Sequence, residues 1–303
     1  MDAIINNFLC NLTNNLDTDI IPKNIDLVIS GGAFNGLYAI GILKYIKKLE
    51  ELNKIKIRKI SGASVGSIVG LAYLLDKLDV FNEFSNEVLY FFKKKYNLYH
   101  LKEKLIQTLN IMDKDDYKKL NKKLYITYFD IDKKKQIIVK KYKSNNDVIE
   151  TIIKSSYIPF LMGTNITCDG KIDGGYPYIF KKKSNIKILY INLLSLNHIK
   201  DVFWIKDKNS SYIRILKGIL DIHIFFKKHK NTCLCSYVEN WGICDYISFR
   251  SKEYIIFMTL FIIELFDKIH KIIPDNIKES NYYLWFKRIT FNLYKDIFNK
   301  IMN

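Results

Sequence analysis

Ser61-Gly62-Ala63-Ser64-Val65-Gly66-Ser67 is the stretch on which the fold turns. Lys56-Ile57-Arg58-Lys59-Ile60 precedes it, short and β-branched enough for a strand. Ile68-Val69-Gly70-Leu71-Ala72-Tyr73-Leu74-Leu75 follows it, apolar and, with its continuation, long enough for a buried helix. A serine in a Gly-x-Ser-x-Gly frame at a strand-to-helix junction reads as a nucleophile elbow. Gly62 and Gly66 leave room for the helix to cross the strand, which lifts the Ser64 hydroxyl clear of the sheet at the positive end of the helix. The five-residue frame alone occurs by chance in many proteins. The strand before it and the helix after it give it weight.

Upstream, Ile25-Asp26-Leu27-Val28-Ile29 is the first convincing strand. It runs into Ser30-Gly31-Gly32-Ala33-Phe34-Asn35-Gly36 and then into Leu37 to Ile46, whose apolar residues recur at helical spacing. The first ~75 residues therefore read as a βαβα unit with parallel strands. Strand, glycine loop and helix also match a dinucleotide fingerprint, which asks for an acidic residue after the second strand. Here Ile60 is followed by Ser61-Gly62-Ala63-Ser64, and the nearest acids, Glu50 and Glu51, close the preceding helix. The other use of such exposed amides is to receive an oxyanion, and small residues at Gly31, Gly32 and Ala33 admit a reacting carbonyl.

Downstream, residues 78 to 122 carry apolar residues at helical spacing, among them Phe81, Phe84, Val88, Phe91 and Phe92. Such a stripe faces a core more often than it lines an acyl channel or a lid. Residues 123–131 and 136–140 form a hairpin about Asp132-Lys133-Lys134-Lys135, and Asn146 to Lys154 a short helix capped by Asn145 or Asn146. Asp169-Gly170 and Asp173-Gly174-Gly175 mark tight turns, in the second of which a carboxylate is free to reach a neighbour. Asn185 to Leu194 is another buried strand. From His198 onward the chain reads as mostly helical, aromatic and lysine-rich, with Pro274 between two long helices. The domain reading is an N-terminal arm or short helix over 1–24, a core over 25–195, and a helical region over 196–303 packed on that core.

The totals bound the answer. At 303 residues with 49% apolar content, the chain suits one large α/β domain or two small ones with an extensive core. The net charge is +17, yet arginine stands only at Arg58, Arg214, Arg250 and Arg288, so 44 of the 48 basic residues are lysine. Base-reading proteins lean on arginine forks, so nucleic acid is not the expected partner. An anionic membrane surface is, at about 1 kcal/mol per nearby lysine. Met1 to Leu16 has no secretory pattern, and the apolar run from Tyr254 to Phe266 is shorter than a spanning helix of ~20 residues. Five scattered cysteines suggest no disulfide framework, and an intracellular setting is expected. His229, Cys233, Cys235 and Cys244 hold a remote zinc reading, weakened by their Cys-x-Cys spacing.

Glycine loop, Gly-x-Ser-x-Gly and Asp-Gly-Gly, in that order, resemble the patatin-like phospholipase family over roughly residues 25 to 195. Ile158-Pro159 after Ser155-Ser156 resembles the family's stretch preceding the aspartate. The resemblance implies a three-layer α/β/α fold with a mainly parallel sheet, here with a helical C-terminal region. It implies Ser64 as nucleophile, Asp173 as general base, and an oxyanion hole around Gly31, Gly32 and Ala33 with Gly36 fixing the turn. Gly62 and Gly66 would shape the elbow, and Gly174 and Gly175 the aspartate's bend. The chain departs from the family at two places, having Ala33 for a third glycine and Asn35 for a basic residue. The function implied is a lipid acyl hydrolase of phospholipase A or lysophospholipase type, acting without metal or cofactor on a phospholipid or other acyl lipid. Two alternatives stand beside it. One is a catalytically silent membrane-binding module of the same fold; the other is a Ser64, Asp173 and His198 triad of the α/β-hydrolase order.

Overall fold

The computed structural model describes residues 2–16, 21–95, 97–107, 112–159, 161–163, 167–195, 197–198, 202 and 209–251, with positions 254, 258, 261, 272 and 274 beyond. Seven strands form one sheet: β1 (Asn24–Ile29), β2 (Lys56–Ala63), β3 (Leu124–Asp130), β4 (Lys135–Val139), β5 (Lys171–Ile172), β6 (Lys187–Ile191) and β7 (Cys235–Tyr237). Their order is β4-β3-β2-β1-β6-β7, with β5 paired to β3. Strands β1, β2, β3 and β6 run parallel; β4, β5 and β7 pair antiparallel. The chain steps from β1 to β2 to β3 on one side, then returns to place β6 on the other side of β1. That reversal opens a crevice at the carboxyl ends of the strands, where open α/β sheets hold their ligands.

Strand β1 reads as an apolar run because both its faces are covered. Ile25, Leu27 and Ile29 enter the larger core, whereas Val28 enters a second one with Tyr125, Ile188 and Tyr190. The larger core is closed by α1 (Asp2–Asn14), α2 (Gly36–Glu51), α3 (Val65–Leu74), α4 (Leu78–Lys95), α5 (Tyr99–Gln107), α6 (Asp116–Leu120), α7 (Asn145–Ser156) and α8 (Asn209–Lys228). The second is covered by Phe180, Val238 and Phe249 with Tyr176, Tyr178 and Trp241, a layer of aromatic rings meeting edge to face. The whole is a mixed α/β architecture with a central, mostly parallel sheet, as expected of a layered α/β/α fold.

Several local details differ from the sequence reading. The stretch over 78–122 breaks into α4, α5 and α6. The hairpin pairs Asp130 with Lys135, so its turn is residues 131–134, one position early. Helix α7 is capped by Ser144 instead of Asn145 or Asn146. Ser144 Oγ accepts from Asp147 N, and Asp147 Oδ2 accepts in return from Lys143 N at 2.9 Å. Asn145 is occupied elsewhere: its Oδ1 accepts from Tyr117 N at 3.0 Å and its Nδ2 donates to Asp113 O at 2.8 Å. Near the N-terminus, Ile5, Leu9, Thr13 and Leu16 recur at helical spacing and are all buried. The strand β7 has no counterpart in the sequence reading. The run from Tyr254 to Phe266 and the helices on either side of Pro274 fall mostly outside the described residues. Among the described residues no helix is long and apolar enough to cross a membrane.

Helix α8 lies directly on α2. A Cβ built on Gly218 falls 2.1 Å from Tyr38 O, and one on Gly41 falls 2.0 Å from Ile215 O, so the two backbones touch where each has a glycine. Gly218→Ala is therefore expected to cost about 1–3 kcal/mol of stability through overpacking, read as a lower urea midpoint with an unchanged m-value.

Candidate active site

Strand β2 ends at Ala63 and the chain enters α3 through Ser64, whose φ of 51° and ψ of −130° are unusual for a residue with a side chain. Such a conformation costs of order 1–3 kcal/mol and persists only where its surroundings enforce it. Two contacts do so here. Ser64 N donates to Ser155 Oγ at 3.0 Å, and Ser155 Oγ donates to Thr127 O at 2.6 Å, tying the elbow through α7 to β3. On the other side, Gly62 and Gly66 are in backbone contact, since a Cβ on Gly62 would lie 2.5 Å from Gly66 O. Ser64 O caps the first turn of α3 by accepting from Ser67 N, Ser67 Oγ and Ile68 N.

Asp173 follows β5. Its N–H donates to Tyr157 O at 2.8 Å, its Oδ1 accepts from Gly175 N at 2.7 Å, and its carboxyl is close enough to the Ser64 side chain to be influenced by it. Burial pushes the Asp173 carboxyl up to about 6, while the nearby Ser64 side chain and the hydrogen bond from Gly175 pull it the other way. Gly174 packs on the β3 backbone at Tyr128 and Phe129, and Gly175 has a φ of 65°. The loop beyond is held by Thr127 Oγ1 and Gln136 Nε2, which both donate to Tyr176 O.

The glycine loop completes the junction. A Cβ on Gly31 would sit 3.3 Å from both Ser64 Cβ and Gly175 O, so all three motifs meet at this point. Gly32 lies against Leu193, and Ala33–Asn35 make one 3-10 turn closed by Asn35 N donating to Gly32 O. Ala33 has a φ of 44°, the left-handed region in which glycine is at ease and alanine is not. Among the described residues, the N–H groups of Gly31, Gly32 and Ala33 donate to no acceptor. The N–H of Gly36 is engaged with the carbonyls of Ala33 and Phe34, so this residue supplies no free amide; it packs against Val65 of the elbow helix instead.

An apolar cavity opens beside Ser64. It is lined by Phe34, Val65, Ile68, Phe84, Val88 and Leu101. The stripe on α4 is buried in the core at Phe81 and Phe92, as its packing reading expects, and Phe84 and Val88 also line the cavity. A hydroxyl next to a carboxylate, unpaired amides and an apolar cavity together suit acyl transfer from an ester with a hydrocarbon tail.

Other candidate residues lie apart from this junction. The His198 ring meets that of Tyr38 at a tilt, with centroids 4.7 Å apart, and influences Asp221, while the groups acting on Asp173 are Ser64 and Gly175. Among the described residues no group of three or more His, Cys, Asp or Glu is placed to hold a metal ion; Cys235 is buried, and Cys233 and Cys244 are exposed. Sequence reasoning passed over Ser155 and Thr127 as supports of the elbow. It noted Asn35 only for its missing charge, whereas the side chain is fully buried and its Nδ2 donates to Leu193 O at 2.8 Å and His198 O at 2.9 Å.

No curated protein matches the chain. A family model described as patatin-like phospholipase matches residues 27–180, which is 154 of 303 residues and takes in the glycine loop, the elbow and the Asp-Gly-Gly turn. With its mostly parallel sheet and those three motifs gathered at one strand end, the chain belongs to the patatin-like phospholipase family, a family of lipid acyl hydrolases.

Proposed function

We propose that the chain is a serine esterase of phospholipase A or lysophospholipase type, with Ser64 as nucleophile, Asp173 as its base and the amides of Gly31, Gly32 and Ala33 as the oxyanion hole. The observation that carries this reading is the convergence of the glycine loop, Ser64 and the Asp173–Gly175 turn at Gly31, where the Ser64 side chain acts on a carboxyl whose pKa is raised to about 6, beside backbone N–H groups with no other partner. Asp173 takes the Ser64 proton as the oxygen attacks the ester carbonyl, and the loop amides receive the negative charge of the tetrahedral intermediate. Collapse expels the alcohol, which leaves with the proton held by Asp173. A water then attacks the acyl-enzyme, passes its proton to Asp173, and the fatty acid departs with Ser64 reprotonated. A carboxylate of ordinary acidity is a poor base for a hydroxyl, and the upward shift brings it closer to the operating pH. No step calls for a metal or cofactor.

The substrate is a phospholipid or other acyl lipid, whose tail the cavity along Phe84 and Val88 suits. We place the reaction at an anionic membrane surface inside the cell. The charge of +17 and the exposed Ile243 and Ile247 on the helical residues 243–251 support peripheral attachment there.

Ser64→Ala and Asp173→Asn are each expected to lower hydrolysis of a short-chain nitrophenyl ester by about 1000-fold or more while the thermal midpoint stays near wild type or above it. A fluorophosphonate probe should label wild type and not Ser64→Ala. Near-wild-type turnover by Asp173→Asn would remove the dyad, and liposome binding with no labelling would favour the silent module. The rate should also follow the ionised fraction of Asp173. kcat/KM is expected to rise with pH through an apparent pKa of about 6 and then level off, measured between pH 4.5 and 8.5.

A further inference from the structure

Arg214 is far from the family motifs in sequence, on the second turn of α8, yet its side chain is buried at 5% exposure beside the glycine loop. Its Nη1 donates to Phe34 O at 3.3 Å and lies 3.5 Å from Asn35 Oδ1, and its guanidinium stands 5.7 Å above the Tyr38 ring. A buried cation is costly unless polar groups satisfy it, and here two of those groups belong to the loop that follows β1. Asn35 is held from the opposite side, through its Nδ2, by the carbonyls of Leu193 and His198. The 3-10 turn is thus clamped from α8 and from the segment after β6. That turn includes Ala33, whose left-handed backbone would relax if the turn were released.

We infer that Arg214 is a positioning residue of the oxyanion loop: it fixes the Phe34 carbonyl and the Asn35 side chain so that the unpaired amides of Gly31, Gly32 and Ala33 stay aimed at the reacting carbonyl. The inference rests on the oxyanion reading given under Proposed function. It explains why Asn35, uncharged where the family carries a basic residue, is compatible with an ordered loop: the cation comes from a helix 179 residues later. It also gives the region after residue 195 a part in the chemistry. The close crossing at Gly41 and Gly218 sets the depth at which α8 sits, and Arg214 is one residue before Ile215 in that crossing.

The test uses the full chain with Arg214→Met, which keeps an unbranched stem and removes the donors. Hydrogen exchange reads the loop whether or not any ester is cut. The Asn35 and Gly36 amides, bonded to Gly32 O and Ala33 O, should exchange about tenfold faster or more, with β1 and β2 unchanged. With a nitrophenyl ester, kcat should fall about 10- to 100-fold while KM stays within about threefold, and Arg214→Lys should recover part of the loss. Unchanged exchange at Asn35 and Gly36, or acceleration spread evenly over the chain, overturns the inference. So does a kcat within about twofold of wild type in an active enzyme. A wild-type chain that hydrolyses nothing would instead remove the esterase reading and leave exchange to decide the clamp. If Arg214→Met does not fold, Arg214→Lys is measured in its place and should show the same local acceleration to a smaller degree. If neither folds, the side chain serves the core and the inference falls.

Discussion

The left-handed backbone at Ser64 is the constraint on which the site depends. It is unfavourable in isolation, so it requires a strand that ends there, a helix that begins there and neighbours small enough to let the two cross. Strand register then decides what stands beside it. Ile29 of β1 pairs with Gly62 of β2, so Gly31 and Ser64, each two residues further on, arrive side by side. Ile29 also pairs with Ile191 of β6, which brings Leu193 against Gly32. Ala63 pairs with Thr127 of β3, whose carbonyl accepts the hydrogen bond from Ser155 Oγ that orients the elbow. Shifting one register by a single residue would separate these groups by more than the reach of a hydrogen bond.

The second half of the chain completes this arrangement. Strand β6 supplies the other wall of the crevice, and the segment after it holds Asn35. Helix α8 covers α2 at the contact between their glycines and brings a buried guanidinium to the loop. Strand β7 pairs with β6, and residues 238–249 close the far face of the sheet with aromatic rings. The family match ends at residue 180, but the contacts that brace its first motif come from beyond that point.

What the sequence made legible follows from how local each signal is. The elbow announces itself because the crossing of strand and helix demands glycine on both sides of the serine, a requirement written within five residues. The parallel βαβα unit is legible through the change of period from strand to helix. The Asp-Gly-Gly bend is legible as a turn, but its meeting with Ser64 came only through the family resemblance, because it depends on contacts more than one hundred residues apart. Ser155 and Arg214 were invisible for the same reason: each acts through one hydrogen-bonding group on a distant partner, and no local pattern marks that. The stripe of Ile5, Leu9 and Leu16 was hidden by the asparagines between its members. Ser144 lost to its neighbours as expected cap of α7 because both asparagines are equally good caps in isolation. Only the packing of α6 shows that Asn145 is already engaged.

The site also concentrates costs that the rest of the fold must offset. Ser64 and Ala33 both have positive φ values, and Asp173 is held where its ionised form is disfavoured. For the aspartate the sign is definite. Its folded-state pKa of about 6 lies above the value near 4 of an unfolded chain, so between those values the folded state holds the proton more tightly. Stability from this group is complete below about pH 4 and is lost as the pH rises through about 6. At neutral pH the charged carboxylate is therefore a net burden on folding, in the same range where the base proposed for Ser64 has to be ionised. The same burial accounts for both effects. A carboxyl placed in water would spare the fold this cost, but it would face Ser64 with the basicity of an ordinary aspartate.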